Sequence, residues 1–266
     1  MAEPGFRGGF MAQRLPVRDR VIVLSGLTAA ATLAWAYLLY MSWGMEHMDT
    51  GAAMAIMPRM TDWGAIDLLL VLAMWAIMMA AMMLPSIVPM VLSFAFLSRQ
   101  RRAQRLPHVH TSIFVLGYLA VWSGFSLLMT LAQWGLLEAR LVTPMMVSAT
   151  PLLGGALLVI AGIFQLTPLK HTCLSKCASP LGFLLTEWRD GTLGAWFMGF
   201  RHGAYCVGCC GIFMSSLFVF GVMNVLWVAA LSIYVMLEKM LPQARWLPFA
   251  KAVLLVGWGV AVATTG

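Results

Sequence analysis

Between Asp67 and Arg99 no charged side chain interrupts the sequence. A bilayer's hydrocarbon core is crossed by roughly 20 apolar residues in a helix, so the run 64–97 exceeds one crossing. Backbone amides in lipid must find partners within their own segment, which leaves the helix as the only form an isolated run of this kind can take. Comparable apolar runs occur at 21–41, 111–136, 150–168, 194–220, 222–239 and 247–264. The expected fold is therefore all-α, a polytopic transmembrane helical bundle of about seven spans. The fifth and sixth spans are divided only by the turn residues Gly221 to Asn224, which predicts a helical hairpin there. Pro85 and Pro89 are expected to kink the second span, because proline removes a helix hydrogen bond.

The basic residues give an orientation. Arg7, Arg14, Arg18 and Arg20 precede the first run, which is too long for a signal peptide's apolar region and lacks a small-residue cleavage site; it reads as a retained helix. With the N-terminus cytoplasmic, the inner face also collects Arg99, Arg101, Arg102 and Arg105, then Lys170, Lys176 and Arg189, then Lys239, Arg245 and Lys251. The outer face receives only Arg59 and Arg140, as the positive-inside rule requires. The net charge of +7 thus belongs to helix ends facing anionic headgroups, and no nucleic-acid role is needed. Residues 1–20 read as a cytoplasmic tail and 21–266 as a single transmembrane domain. The longest polar interruptions are 42–63 outside, and 98–110 and 169–193 inside.

All five cysteines fall between residues 173 and 210, in "KHTCLSKC" (170–177) and "HGAYCVGCC" (202–210). On a helix, His202, Cys206 and Cys209 point within about 60° of one another, with Cys210 about 40° further round. Cys173 and Cys177, spaced i,i+4, share a face in the same way. Soft thiolates favour Cu(I), Zn(II) or iron–sulfur clusters, and four sulfurs suffice for a tetrahedral ion. Lys170, Lys176 and Arg201 stand nearby in sequence and are expected to offset the thiolate charge. Free cysteine also packs as a small hydrophobe, but confinement of the whole set beside histidines argues for ligation. His202 reads as a ligand or as a hydrogen-bond partner of one, since a histidine within an apolar helix is costly. His171 reads as a solvated loop residue. Gly199, Gly203, Gly208 and Gly211 read as small residues that permit close helix packing.

Methionine is the second anomaly, with 22 copies. Met54, Met57 and Met60 recur every third residue in the outer segment, preceded by Met45, His47 and Met48. Thioethers are soft Cu(I) donors, and the same residues would equally serve as the buried side of an interfacial helix. In "MWAIMMAAMMLPS" (74–86), Met74, Met78 and Met82 stack at i, i+4 and i+8 beside Met79 and Met83. Such a ladder can relay a soft ion or simply pack helices, and packing is the better-supported reading of the ladder alone.

The stretches "MWAIMMAAMMLPS", "FQLTPLKHTCLSKCASP" (164–180), "HGAYCVGCC" and "GVMNVLWVAALSIYVMLEK" (221–239) resemble a bacterial family of predicted metal-binding integral membrane proteins, a domain of unknown function with paired cysteine motifs. The resemblance spans roughly 74 to 239. It implies a multi-pass protein of the bacterial inner membrane, with ligands at Cys173, Cys177, Cys206, Cys209 and Cys210. The chain departs from the family pattern at Gly211, where a tryptophan is expected, and at Ala178, where a basic residue is expected.

Three functions fit these features. The first is handling, delivery or transport of a soft metal, Cu(I) or alternatively zinc, with Cys173, Cys177, Cys206, Cys209, Cys210, His202, Met54, Met57 and Met60 as donors. No G-x-x-x-x-G-K-[ST] loop is present, which excludes a primary pump of the kind that motif marks. The second is a membrane thiol oxidoreductase that pairs Cys206 with Cys209 and exchanges electrons with quinone; the reducing inner face and the extra Cys210 count against it. The third is an accessory subunit of a larger membrane complex, for which the 11 tryptophans offer contacts but no positive support. The expected partners are membrane lipid, the metal ion and a protein that receives the ion or contains the chain, and an enzymatic role is not favoured.

Overall fold

The computed structural model describes residues 16–46, 63–141, 150–222, 224–240 and 246–265, and these form helices, with no strand among them. In chain order they are α1 (Val17–Glu46), α2 (Ala65–Ala103), α3 (Thr111–Glu138), α4 (Pro151–Phe164), α5 (Pro168–Ala178), α6 (Pro180–Glu187), α7 (Gly191–Met214), α8 (Leu217–Phe220), α9 (Val225–Met240) and α10 (Leu247–Thr265). Five stretches are long and apolar enough to cross a membrane: Val17–Gly44, Ala65–Ala103, Thr111–Glu138, Gly191–Phe220 and Leu247–Thr264. A sixth is reached if α4 and α5, bent by 68°, count as one broken span.

Two expectations are corrected by this arrangement. The segment 222–239 was expected to be a full span, yet α9 has 16 residues, about 24 Å at 1.5 Å per residue, which is short of a hydrocarbon core. The segment 169–193 was expected to be a polar loop carrying His171, but it contains α5 and α6. Each begins with proline at the first helical turn, Pro168 after Thr167 and Pro180 after Ser179. Proline lacks an N–H that the first turn does not use, and the Thr167 side chain accepts a bond from the Lys170 amide, capping α5. His171 is exposed, on a helix rather than a loop.

The long helix α2 continues through Pro85 and Pro89. Pro85 has no N–H for the carbonyl of Ala81, and the indole Nε1 of Trp35 on α1 donates to that carbonyl at 3.1 Å. One residue on, the Ser232 hydroxyl of α9 donates to the Met82 carbonyl at 3.2 Å. Neighbouring helices thus satisfy backbone acceptors around the proline segment, which is how a proline is accommodated inside a bundle.

Helix α2 packs against α1, α3, α6 and α9, while α3 packs on α7, α5 on α7 and α4 on α10. The closest approaches use glycine. A side chain at Gly199 would run into the Phe114 carbonyl, and one at Gly117 into that of Trp196; these positions let the backbones of α3 and α7 touch. Gly155 and Gly259 do the same for α4 and α10, each standing against the other's carbonyl. Small residues that admit backbone contact are the characteristic packing device of helices whose flanks are equally apolar. Between α8 and α9 the chain turns at Gly221, whose φ of 92° is strained for any residue with a Cβ.

Candidate metal centre

Helix α7 carries three cysteines and His202 on its buried side. Cys206, Cys209 and Cys210 are at most 1% exposed and His202 is 3% exposed, as the 100° spacing requires. Helix α5 presents Cys173 and Cys177 from across the interface, and all five are free thiols. Cys209 Sγ lies 4.0 Å from Cys177 Sγ, and the Cys177 thiol is also within reach of Cys206. Two sulfurs bound tetrahedrally at a typical metal–sulfur distance of about 2.3 Å stand roughly 3.8 Å apart, so this pair is already close to bridging distance. Cys173 sits at the rim: a Cβ added to Gly208 would lie 2.8 Å from its sulfur. The glycine at 208 therefore lets α5 approach α7 at this point, while Gly203 faces Val121 and Tyr118 and Gly211 faces Phe125 and Val207.

Polar partners surround one sulfur in particular. Cys206 Sγ is 3.0 Å from the ammonium of Lys239 on α9 and 3.2 Å from the hydroxyl of Tyr118 on α3. The Cys206 carbonyl accepts the Cys209 and Cys210 thiols at 3.1 and 3.0 Å. Lys239 also donates to the Ser86 hydroxyl at 2.9 Å, and Ser86 stands 4.0 Å from Met83 Sδ. Four helices, α2, α3, α7 and α9, thus meet at Cys206, and α5 adds Cys177 beside it.

Two of the three cations named from the sequence, Lys170 and Arg201, are engaged elsewhere. Lys170 forms an ion pair with Glu238 at 2.9 Å, and Lys251 meets the same carboxylate at 2.8 Å. Arg201 pairs with Glu187 at 2.7 Å and donates to Tyr205 at 3.0 Å. Among the described residues the cation that reaches sulfur is Lys239, 33 residues from Cys206, whose place in the sequence marks it only as one of the inner-face charges. Its signal was present: a lysine preceded by the apolar helix "VLWVAALSIYVML" must either leave the membrane or find a partner inside.

His202 lies among aromatic rings, with centroids 5.3 Å from Phe183, 5.9 Å from Tyr118 and 6.2 Å from Phe114, and its buried Nδ1 has no hydrogen-bond partner among the described residues. Among the described residues, no group of three or more His, Cys, Asp or Glu side chains meets the geometry of a metal site. Met54, Met57 and Met60, with His47 and Met48, lie outside the described residues. Met74, Met78, Met79, Met82 and Met83 are all at most 1% exposed, inside the core.

A family model described as PpoB2, copper chaperone, matches residues 72–262, a span that contains every cysteine, Lys239 and the methionines of α2. No curated protein and no solved structure matches the chain.

Proposed function

The chain belongs to the PpoB2 copper chaperone family, and from that premise we propose that it is an integral membrane protein whose α5 and α7 thiols hold Cu(I) in transit. Cys177, Cys206, Cys209 and Cys210 are the proposed donors, with Cys173 at the rim as a fifth and His202 as a reserve ligand. The observation that carries this reading is the 4.0 Å approach of Cys177 and Cys209 across the helix interface. Thiolates are soft donors suited to a monovalent d¹⁰ ion, and two adjacent helices bring them together with little reorganisation. Met54, Met57 and Met60, thioethers on the segment that the charge rule places outside, are the proposed collectors. The long apolar helices Val17–Gly44, Ala65–Ala103, Thr111–Glu138, Gly191–Phe220 and Leu247–Thr264 would anchor the bundle in the bacterial inner membrane, with the N-terminus on the cytoplasmic side. The proposed partners are lipid and an acceptor protein to which copper is handed.

The experiment is a competition for Cu(I) between a chromophoric chelator and the purified full chain, run beside a variant with Cys206, Cys209 and Cys210 replaced by serine. Stoichiometric Cu(I) retained by the native chain and lost by the variant is the expected result. Zinc held more tightly than copper would reassign the ion. A second reading, thiol exchange at Cys206 and Cys209, draws on the Lys239 contact with Cys206, since a neighbouring ammonium also suits a nucleophilic thiol; it predicts thiols that cycle with quinone and retain no metal.

A further inference from the structure

The proposed thiol site contains one cation of its own. Lys239 reaches in from the last turn of α9, its stem partly exposed and its ammonium densely enclosed. Its hydrogen bonds go to Ser86 Oγ at 2.9 Å and Cys206 Sγ at 3.0 Å. Tyr118, Cys209 and Cys210 also face it, and His202 lies near enough to interact with its charge. No carboxylate forms an ion pair with it among the described residues. The adjacent Glu238, one residue earlier on the same helix, already faces two ammonium groups, Lys170 and Lys251, and so has no charge to spare for Lys239.

A charged, enclosed ammonium needs compensating negative charge, and among the described residues sulfur is the source in contact with it. When thiolates take up a metal, the charge left on the complex is the ion's charge minus the number of thiolates. With the same sulfurs engaged, a bound monovalent ion leaves one more negative charge for Lys239 to meet than a divalent ion does. Two thiolates give −1 with Cu(I) against 0 with Zn(II), and the four proposed donors, all deprotonated, give −3 against −2, so at every ligand count the Cu(I) complex places one more unit of negative charge beside the ammonium. In a low-dielectric site this difference of one Coulomb contact weighs heavily.

Building on the thiol-site reading, we propose that Lys239 is a specificity-determining residue: an internal counter-cation, held on Cys206 by Ser86, that makes the site prefer a monovalent soft ion to a divalent one. The methionines of α2 have no such device, since a thioether ligand is neutral and leaves the ion's charge unchanged. Discrimination by charge is therefore assigned to the α9 end of the site and not to the sulfur atoms themselves.

The test measures Cu(I) and Zn(II) affinities by chelator competition on the full chain in detergent, for the native protein and for Lys239→Gln, Lys239→Arg and Cys206→Ser. Glutamine removes the charge and keeps an N–H donor on a side chain one atom shorter, and arginine restores the charge. The expected result is a Cu(I) affinity lowered by roughly tenfold to a hundredfold, a Zn(II) affinity unchanged or raised, and a preference restored by arginine. Equal losses for both ions, or no loss for Cu(I), would overturn the proposal while leaving the thiol site standing. A native chain that binds no Cu(I), or binds it equally well after Cys206→Ser, would overturn the thiol-site reading and this inference with it. Should the glutamine variant fail to accumulate, Lys239→Leu is read against the same criteria.

Discussion

The two sulfur-bearing faces of the bundle, the methionines of α2 and the cysteines of α7, are buried to the same degree and differ in what surrounds them. Met74, Met78, Met79 and Met82 are at most 1% exposed and sit in the continuous apolar cluster that runs through the bundle and takes in the five cysteines as well. The α7 cysteines are equally buried, yet each has a polar contact: Cys206 with Lys239 and Tyr118, Cys209 with Cys177, and Cys209 and Cys210 with the Cys206 carbonyl. Density of sulfur therefore does not by itself make a site. A flexible thioether fills a core without further demands, whereas a charged group carried into that core marks where chemistry has to be accommodated. Met83 stands at the seam, within 4.0 Å of the Ser86 hydroxyl that also binds Lys239.

This contrast can be broken or sharpened by substitution. The largest expected effect is on the thiol face: Cys177→Ser together with Cys206→Ser should lower Cu(I) affinity by well over the roughly 10- to 100-fold typical of losing an outer partner, read by chelator competition. Next is Glu238→Gln. It leaves Lys170, 3% exposed at its side chain, without its carboxylate, and breaking a buried pair from one side costs about 3 kcal/mol or more. Thermal unfolding in detergent should show a clear fall in Tm, with residual Cu(I) binding where the chain stays folded.

Gly199→Ala comes third. Its new methyl meets the Phe114 carbonyl, a backbone atom that cannot rotate away, so α3 and α7 must separate at a cost of about 1–3 kcal/mol. Because Tyr118 and Cys206 face one another across that same pair of helices, a modest drop in Cu(I) affinity should accompany the loss of stability. The smallest effect belongs to the thioether face. Met74→Leu, Met78→Leu and Met82→Leu are close to volume-conserving and should each cost less than about 1.5 kcal/mol, with equilibrium Cu(I) affinity unchanged. A loss of affinity there comparable to that of the cysteine variants would dissolve the contrast.

Helical class and the position of α2 were legible because periodic burial and length suffice for them: the run 64–97 became Ala65–Ala103. The i,i+3/i+4 grouping of His202, Cys206, Cys209 and Cys210 on one face was legible for the same reason. Helices α5 and α6 were not, since α5 is polar in composition and α6 is only eight residues long, although Thr167-Pro168 and Ser179-Pro180 are helix-starting pairs. The partner of each cation was also hidden. Lys170 lies 68 residues from Glu238 and Lys239 lies 33 from Cys206, and such pairings depend on how α5 and α7 meet α9, which no local pattern encodes. Nearness in sequence suggests Lys170, Lys176 and Arg201 as the thiols' counter-charges; the packing of the short helix α9 brings Lys239 to Cys206.

The convergence of α5 and α7 sulfurs on one ion is tested most directly by X-ray absorption at the copper edge of the full chain loaded with one equivalent of Cu(I). The expected spectrum shows a first shell of sulfur alone, lost when Cys177 and Cys206 are both replaced by serine. A shell of nitrogen or oxygen, or a sulfur shell that persists in that double variant, would contradict it.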